Sequence, residues 1–505
     1  MDLRISRQLV RNTFVALLLA LATTIGLPAS AQFGGGFGGG GGGFGGGGGG
    51  FGGGGFGGGG LGGGGFGGGG VGGQQGARAG GVMVDADGVL ERNFVNDPTG
   101  ELTKARIQNA LAGLEGNLGQ ISEMRKVSLT RLEKAIAEKI AAGSGPDNVM
   151  KNLAGLTRIE YVFCYPETGD IVIAGPAEPW AEDLAGRMRG IATGRPVVEL
   201  QDVVTALRAF PPEGNGKSPT LYCSIDPTTE GLERMQNFLR QFGRSATPNQ
   251  TQIIVDKLQE AMGLQVITVG GIPATTHFAQ VMVEADYRMK LMGINLEKPP
   301  VRLKSYVDRA NPATVSRNAL ERWYFVPDYE CVRVAEDSMS MQIVGQGVKL
   351  IGENELINQQ GGRQISGSVN RASQHYTSAF TKVYPELAEK SPVYAQLRNC
   401  IDMAVAAAFM QQRDLYGVVG WTPDVFASEE KFPVEVFNAP EQVATAVNAI
   451  WKGRTLMTPI GGGVEMRPTK ALESDALLSD ENGEVAAQHE KLAPTGLADG
   501  QWWWD

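Results

Sequence analysis

The sequence predicts an α+β fold, with helices and mostly antiparallel strands in a folded body over residues 82–464. Helix-period and strand-period segments alternate in its first half, a meander of short strands is predicted over residues 323–351, and helices return after Ser391. Strands and helices segregated in this way favour α+β. A partly parallel α/β first lobe is the alternative. Because about 380 residues are many for one small core, we predict two lobes, 82–300 and 301–464, with one large body as the alternative.

The amino terminus has the three parts of a secretion signal: a positive flank, a short apolar run and a small-residue exit. The apolar run follows three arginines and ends before Ala29-Ser30-Ala31. This order predicts a signal peptide over residues 1–31 and export to the periplasm, cell envelope or extracellular space. A retained membrane anchor is the alternative, but the run is short for a bilayer. No transmembrane segment is predicted after cleavage.

A glycine-rich arm follows over residues 32–81. From residue 33 to residue 73, 33 of the 41 residues are glycine, and apolar residues recur every five positions from Phe51 to Val71. Glycine has the largest backbone entropy cost of ordering, so the arm is predicted to be a disordered tether. Weak binding of its apolar side chains to a surface or to another copy is the alternative.

Local signals predict several elements in the first lobe. They are a helix capped by Ser128, a hairpin that turns at residues 166–169, a helix started by Asp226-Pro227 and ended by Gly243, a second helix ended by Gly263, and a strand over residues 264–269.

A helix predicted over residues 276–292 has the best candidate site. An apolar stripe with spacings of three and four occupies one face, and Thr275 or Thr276 can cap the start. The opposite face has His277, Gln280, Glu284 and Arg288, while Asp286 and Lys290 form an i,i+4 pair. A histidine near a glutamate can transfer protons, so these four residues are a candidate surface site. The alternative is an ordinary solvated polar face.

The end of the chain is predicted from composition. A helix that starts at Ser391-Pro392 is apolar nearly all round, which is typical of a buried central helix. Residues 465–505 have nine acidic and three basic residues with little periodicity and end in Trp502-Trp503-Trp504 and Asp505. This composition predicts a mostly disordered acidic tail, and docking of the Trp cluster on the body is the alternative.

The sequence lacks the usual motifs of common enzyme chemistry. It has no paired C-x-x-C, H-E-x-x-H, G-x-S-x-G or phosphate-loop motif, so no metal, cofactor or catalytic residue is predicted. A pair of glycosidase-type carboxylates remains open, because its spacing exists only in three dimensions. The four cysteines lie in apolar segments and are predicted to be buried thiols; two disulfides are the alternative.

Four segments of the body carry a family resemblance, namely residues 165–178, 223–232, 283–290 and 391–400. Together they resemble a domain-of-unknown-function family of exported planctomycete proteins. The resemblance, which includes the signal peptide and the glycine-rich arm, implies export and an uncharacterised body. It implies no activity and no catalytic residue.

The predicted function is that of an exported cell-envelope protein with a non-catalytic binding or scaffolding body. Its partner would be an unidentified envelope protein or polymer. The chain has a formal charge of −9 and no long basic run, so nucleic acid is not a predicted partner. An exported hydrolase of a glycan or peptide polymer is the alternative. The two differ in whether a wide cleft brings together titratable groups with shifted pKa values.

Overall fold

The computed structural model describes residues 35–36, 81–93, 97–214, 219–242, 247–310, 319–357, 363–365, 371–448, 450–452, 455–458 and 463–505. The predicted signal peptide and, apart from Gly35, Gly36 and Gly81, the predicted glycine-rich arm lie outside these residues.

The described residues form helices and strands throughout the body. The helices are α1 (Glu101–Ala112), α2 (Leu129–Ala141), α3 (Asn148–Lys151), α4 (Leu200–Ala209), α5 (Thr229–Phe242), α6 (Thr251–Met262), α7 (His277–Gly293), α8 (Tyr306–Arg309), α9 (Arg371–Lys390), α10 (Pro392–Gln412), α11 (Leu415–Val419) and α12 (Glu484–Lys491). The strands are β1 (Gly35–Gly36), β2 (Val82–Val84), β3 (Val89–Arg92), β4 (Ser122–Ser128), β5 (Tyr161–Tyr165), β6 (Asp170–Ala177), β7 (Trp180–Glu182), β8 (Met188–Gly190), β9 (Leu221–Asp226), β10 (Leu264–Gly270), β11 (Ala319–Pro327), β12 (Val332–Val334), β13 (Ser340–Ile343), β14 (Val348–Ile357), β15 (Arg363–Ile365), β16 (Gln442–Ala444), β17 (Ile450–Lys452), β18 (Thr455–Thr458), β19 (Gly463–Met466), β20 (Leu478–Ser479) and β21 (Trp503–Trp504).

Two large sheets organise these elements. One has the order β15-β14-β11-β19-β9-β10-β16-β3-β2, and the other has the order β20-β12-β13-β5-β6-β4-β21. Smaller sheets pair β7 with β8 and join β1, β18 and β17. The parallel pairs in the two large sheets are β11–β19, β12–β20 and β16–β3, and antiparallel pairs predominate. The predicted α+β fold is confirmed.

The sheets cross the predicted lobe boundary at residue 300. The nine-stranded sheet joins β9 and β10 from before this boundary to β11, β14 and β19 from after it. The predicted meander also splits, because β11 and β14 enter this sheet while β12 and β13 enter the seven-stranded sheet. The two predicted lobes therefore share both sheets, because long-range strand pairing joins segments that local patterns had separated.

Local capping signals place most helix starts correctly. The Ser128 side chain accepts from the Arg131 N–H at 3.2 Å at the start of α2, and the hairpin of β5 and β6 turns at Gly169, where φ is 72°. The predicted start of α5 is wrong: Asp226 ends β9, and the Thr228 hydroxyl accepts from the Gly231 N–H at 2.9 Å. The predicted end of α5 at Gly243 lies outside the described residues.

The carboxyl-terminal segment is folded, so the prediction of a disordered tail is wrong. Strand β21 pairs with β4, and the buried Arg125 guanidinium donates to both carboxylate oxygens of Asp505 at 2.8 and 3.0 Å. Helix α12 places the His489 ring 4.5 Å from that of Tyr165, centroid to centroid. The tail's charge suggested disorder, but its aromatic residues and Asp505 find partners about 380 positions away.

All four cysteines are buried free thiols, as the sequence predicted. Burial raises the pKa of Cys164 and of Cys331 to about 12, so little thiolate exists at neutral pH. We expect slow labelling by a thiol reagent until denaturant is added, and no mass change on reduction. Intact-mass spectrometry before and after reduction checks this. A gain of two protons per bridge would establish disulfides instead.

Candidate functional site

Helix α7 lies between the nine-stranded sheet and α10. The Thr276 hydroxyl caps it by accepting from the Ala279 N–H at 3.2 Å, as the sequence predicted. The predicted surface site on this helix is not at the surface. His277 is 7% exposed, Gln280 2% and Glu284 0%. Helix α10 and the segments around Arg187 and Phe437 cover this polar face, so both a surface site and a solvated face are wrong for these residues.

His277 lies between two carboxylates at the start of α4. Its Nδ1 is 2.8 Å from Asp202 Oδ2, and its Nε2 is 3.9 Å from Glu199 Oε1. On the same side as Glu199, the Gln396 amide nitrogen is 3.4 Å from Nε2, a long contact. The ring of Phe437 packs 5.9 Å from the imidazole, centroid to centroid. The imidazole is thus oriented through Nδ1, which donates to Asp202.

These carboxylates control the charge of the imidazole. Burial acts to lower the pKa of His277, but Asp202 and Glu199 outweigh burial and raise this pKa to about 10. Burial raises the pKa of Glu199, and the charge of His277 acts against that change. At neutral pH we therefore expect a cationic His277 held by Asp202.

The raised pKa of His277 predicts a pH-dependent stability. An ordinary histidine has a pKa of 6.5, so the stabilisation from this charge is complete below pH 6.5 and is lost as pH rises towards 10. The free energy of unfolding of the natural protein should therefore fall by about 2 kcal/mol between pH 6.5 and 8.5. This decrease should be absent in His277→Gln. Urea titrations of both proteins between pH 6.5 and 8.5 measure this difference. The range stops at pH 8.5 so that cysteine ionisation does not contribute to it. If the free energy of unfolding changes with pH in the same way in both proteins, the imidazole is neutral.

Glu284 is the centre of a buried chain of ion pairs. Arg187 Nη2 is 2.6 Å from both Glu284 carboxylate oxygens, and Arg288 Nη1 is 3.4 Å from one of them. Arg288 then donates to Glu297 at 2.7 Å, and Glu297 also pairs with Arg92 at 3.3 Å. Alternating charges thus extend from the turn before β8, through α7, to the end of β3.

Gln396 connects this chain to the histidine. Its Oε1 accepts from Arg187 Nη1, while its nitrogen faces His277. The Gln280 amide donates to the Asn438 carbonyl at 2.8 Å, which fixes the segment beside Phe437. Three of the four predicted residues, His277, Glu284 and Arg288, therefore take part in one network, and Gln280 lies beside it. We call this the α7 network: His277, Asp202, Glu199, Gln396, Arg187, Glu284, Arg288, Glu297 and Arg92.

Gly81, the residue just before β2, also contacts this network. Its N–H donates to Glu284 Oε2 at 3.2 Å, and a Cβ at this position would lie 2.5 Å from Oε1. Only glycine allows so close an approach of backbone to carboxylate. The start of the described body is thereby attached to the centre of the α7 network.

On the other side of α7, Asp286 and Lys290 form the predicted pair. Lys290 Nζ is 3.6 Å from Asp286 Oδ2 and donates to the Ile225 carbonyl of β9 at 3.3 Å. Burial lowers the pKa of Lys290, although Asp286 acts in the opposite direction. Both residues are buried, so this pair attaches α7 to the nine-stranded sheet.

The α7 network has little access to solvent. A depression of about 420 Å³ beside residues 295–303 reaches Glu297, at the outer end of the chain of ion pairs. In the described ranges, no group of three or more His, Cys, Asp and Glu is placed to hold a metal ion. The same residues include no helix that combines the length and apolarity needed to cross a bilayer.

Sequence reasoning missed six of the nine residues of the network. Arg187, Gln396, Glu297 and Arg92 come from other elements, and no local pattern connects them to α7. A signal did exist for Glu199 and Asp202, which lie three positions apart at a helix start, but spacing alone gives them no partner.

One comparison with known proteins finds a match to part of this region. Residues 223–306 match the model of a family of proteins of unknown function, DUF1598. The DUF1598 segment covers most of β9, all of α5, α6, β10 and α7, and ends at the first residue of α8. It contains His277, Gln280, Glu284, Arg288 and Glu297. Two segments of the predicted resemblance, 223–232 and 283–290, lie inside it; 165–178 and 391–400 lie outside. No curated protein and no solved structure matches the chain.

Proposed function

We propose that this chain is an exported planctomycete cell-envelope protein whose α+β body binds or scaffolds without catalysis. The glycine-rich arm would tether this body within the envelope. The observation that supports the proposal best is that the charged groups on the polar face of α7 have their counter-charges inside the protein. Arg187 is paired with Glu284, and Arg288 with both Glu284 and Glu297.

This internal pairing is typical of a structural role. A hydrolytic site needs convergent groups that a substrate can reach. The Glu284 carboxylate instead has three donors around it, namely Arg187, Arg288 and the Gly81 N–H, within a fully buried setting. Such a carboxylate stabilises the packing of α7 against its neighbours and is poorly placed to attack a polymer.

One observation favours the hydrolase alternative. Glu199 is a carboxylate with a raised pKa beside an oriented histidine, and its side chain is 15% exposed. A carboxyl group of raised pKa is the usual general acid of glycoside hydrolysis. For this alternative, Glu199→Gln would abolish turnover of an envelope polymer without changing the melting temperature.

Export is tested by N-terminal sequencing of the protein isolated from its own envelope fraction. We expect the mature chain to begin at Gln32. Recovery of residues 1–31 on the isolated protein would contradict cleavage and favour a retained anchor.

Binding and hydrolysis are separated by incubating the mature protein with purified envelope polymer. We expect co-sedimentation with the polymer and no release of soluble fragments, measured by mass spectrometry of the supernatant. The Glu199→Gln variant should sediment like the natural protein. Fragment release that this variant loses would overturn the non-catalytic proposal.

A further inference from the structure

A second group of charges lies along α10, outside the α7 network. Arg158 Nε is 3.0 Å from Asp402 Oδ2, and Arg195 Nη2 is 3.3 Å from Glu389 Oε1, just before α10. Arg398 lies on α10, four residues before Asp402, whereas Glu389 lies near the end of α9. The two carboxylates pair with Arg158 and Arg195, and Arg398 is the third arginine of the group. Glu160 lies near Arg158, and its charge acts to raise the pKa of Arg158 and of Asp402.

Arg398 is buried, and part of its guanidinium has no hydrogen-bond acceptor among the described residues. It is 8% exposed, and its Nε has no hydrogen-bond acceptor there. Burial and the nearby Arg158 lower its pKa, while Asp402 opposes them. A buried guanidinium with an unsatisfied N–H is costly, because that N–H gives up water without gaining an acceptor. The fold retains this cost at Arg398.

The start of α10 has a second unsatisfied group. The Ser391 hydroxyl is buried and has no hydrogen-bond partner in the described part of the chain. Ser391 precedes Arg398 by seven positions, so both lie on the same face of the helix. Long side chains on a helix extend towards its amino terminus, which is the side of Arg398 on which Ser391 lies. The charge of Arg195 also acts on the pKa of Arg398.

We propose that Arg398, Ser391 and Arg195 form a binding site for an oxyanion, the carboxylate, sulfate or phosphate group of a ligand. The guanidinium of Arg398 would donate to the oxyanion, and the Ser391 hydroxyl would donate a further hydrogen bond. The amino-terminal end of the 21-residue α10 has a positive dipole that favours an anion in the same place.

Arg195 makes the site reachable from solvent. Its side chain is 38% exposed and its partner Glu389 is 61% exposed, so this pair is weak and an incoming anion can replace Glu389. The site does not rest on the proposed function, because its residues lie outside the α7 network and its test needs neither export nor an envelope polymer.

Phosphate-dependent stability of the full mature chain tests the site. We expect inorganic phosphate to raise the melting temperature of the natural protein relative to chloride at equal ionic strength, with sulfate and acetate as further arms. Arg398→Met should lose this response and bind phosphate at least tenfold more weakly by calorimetry. In chloride alone it should melt no lower than the natural protein, because it removes a buried charge whose hydrogen bonds are incomplete.

Control variants separate binding from general charge loss. Arg333→Met removes a partly exposed arginine that pairs with Glu484, and it should keep the full phosphate response. Ser391→Ala should fold normally and bind phosphate several-fold more weakly, which provides a test even if Arg398→Met does not fold. No response of the natural protein to phosphate, sulfate or acetate overturns the proposal, as does an unchanged response in Ser391→Ala and Arg398→Met.

Discussion

Glu284→Gln is expected to lower the free energy of unfolding by about 3 to 5 kcal/mol. The amide cannot supply the negative charge that Arg187 and Arg288 share at 2.6 and 3.4 Å. The Arg187 side chain is only 5% exposed, and that of Arg288 is 23% exposed. Removing one member of a buried pair leaves the desolvation cost of the other without compensation. Urea denaturation of the two proteins at pH 7 measures the difference.

Two further variants test whether this loss of stability comes from the buried ion pairs. Glu386→Gln removes an exposed i,i+4 partner of Lys390 and should cost less than about 1 kcal/mol. Adding Arg187→Met to Glu284→Gln should recover part of the loss, since both charges are then absent. If Glu284→Gln is as stable as the natural protein but loses binding or turnover, the glutamate is a functional group and its structural role is wrong.

Removal of residues 502–505 is expected to cost a similar amount, about 3 to 5 kcal/mol. The truncation leaves Arg125, which is 0% exposed, without the carboxylate of Asp505. It also removes β21 from the edge of the seven-stranded sheet and Trp503, whose ring lies 4.9 Å from the Arg125 guanidinium. Equilibrium denaturation of the truncated and full chains measures the loss.

A smaller change assigns that loss to the ion pair. Asp505→Asn should account for a large share of it, whereas Asp475→Asn, at an exposed position of the same segment, should change stability little. In an Arg125→Met background the effect of Asp505→Asn should shrink, because the arginine no longer needs a partner. Equal effects in both backgrounds would show that Asp505 acts independently of Arg125.

The limits of prediction follow from the range of each interaction. The start of α7 could be predicted because its cap, Thr276, lies beside it, and the hairpin of β5 and β6 turns within a few residues. Burial of the polar face of α7 could not, since Arg187 and Gln396 contact it from about 100 positions away on either side. A polar stripe indicates solvent only when no charged partner is brought to it.

The same reason explains the error at the end of the chain. Charge and weak periodicity describe how residues 465–505 would behave alone, and they contain no information about Arg125 or β4. The α10 helix was predictable because an apolar surface all round requires burial whatever its neighbours are. Arg398, in the first third of that helix, could not be predicted as unusual, because the lack of an acceptor for its Nε depends on the folded surroundings.

The contact between Gly81 and Glu284 has a mechanical consequence. A force applied through the residues before Gly81 acts on the open end of the β2–β3 hairpin, where the Asn93 N–H donates to the Gly81 carbonyl at 2.8 Å. Strand β2 would therefore unzip one residue pair at a time, and the bond to Glu284 would be among the first to break. Tension on the arm would then reach the α7 network before the rest of the body carried any load.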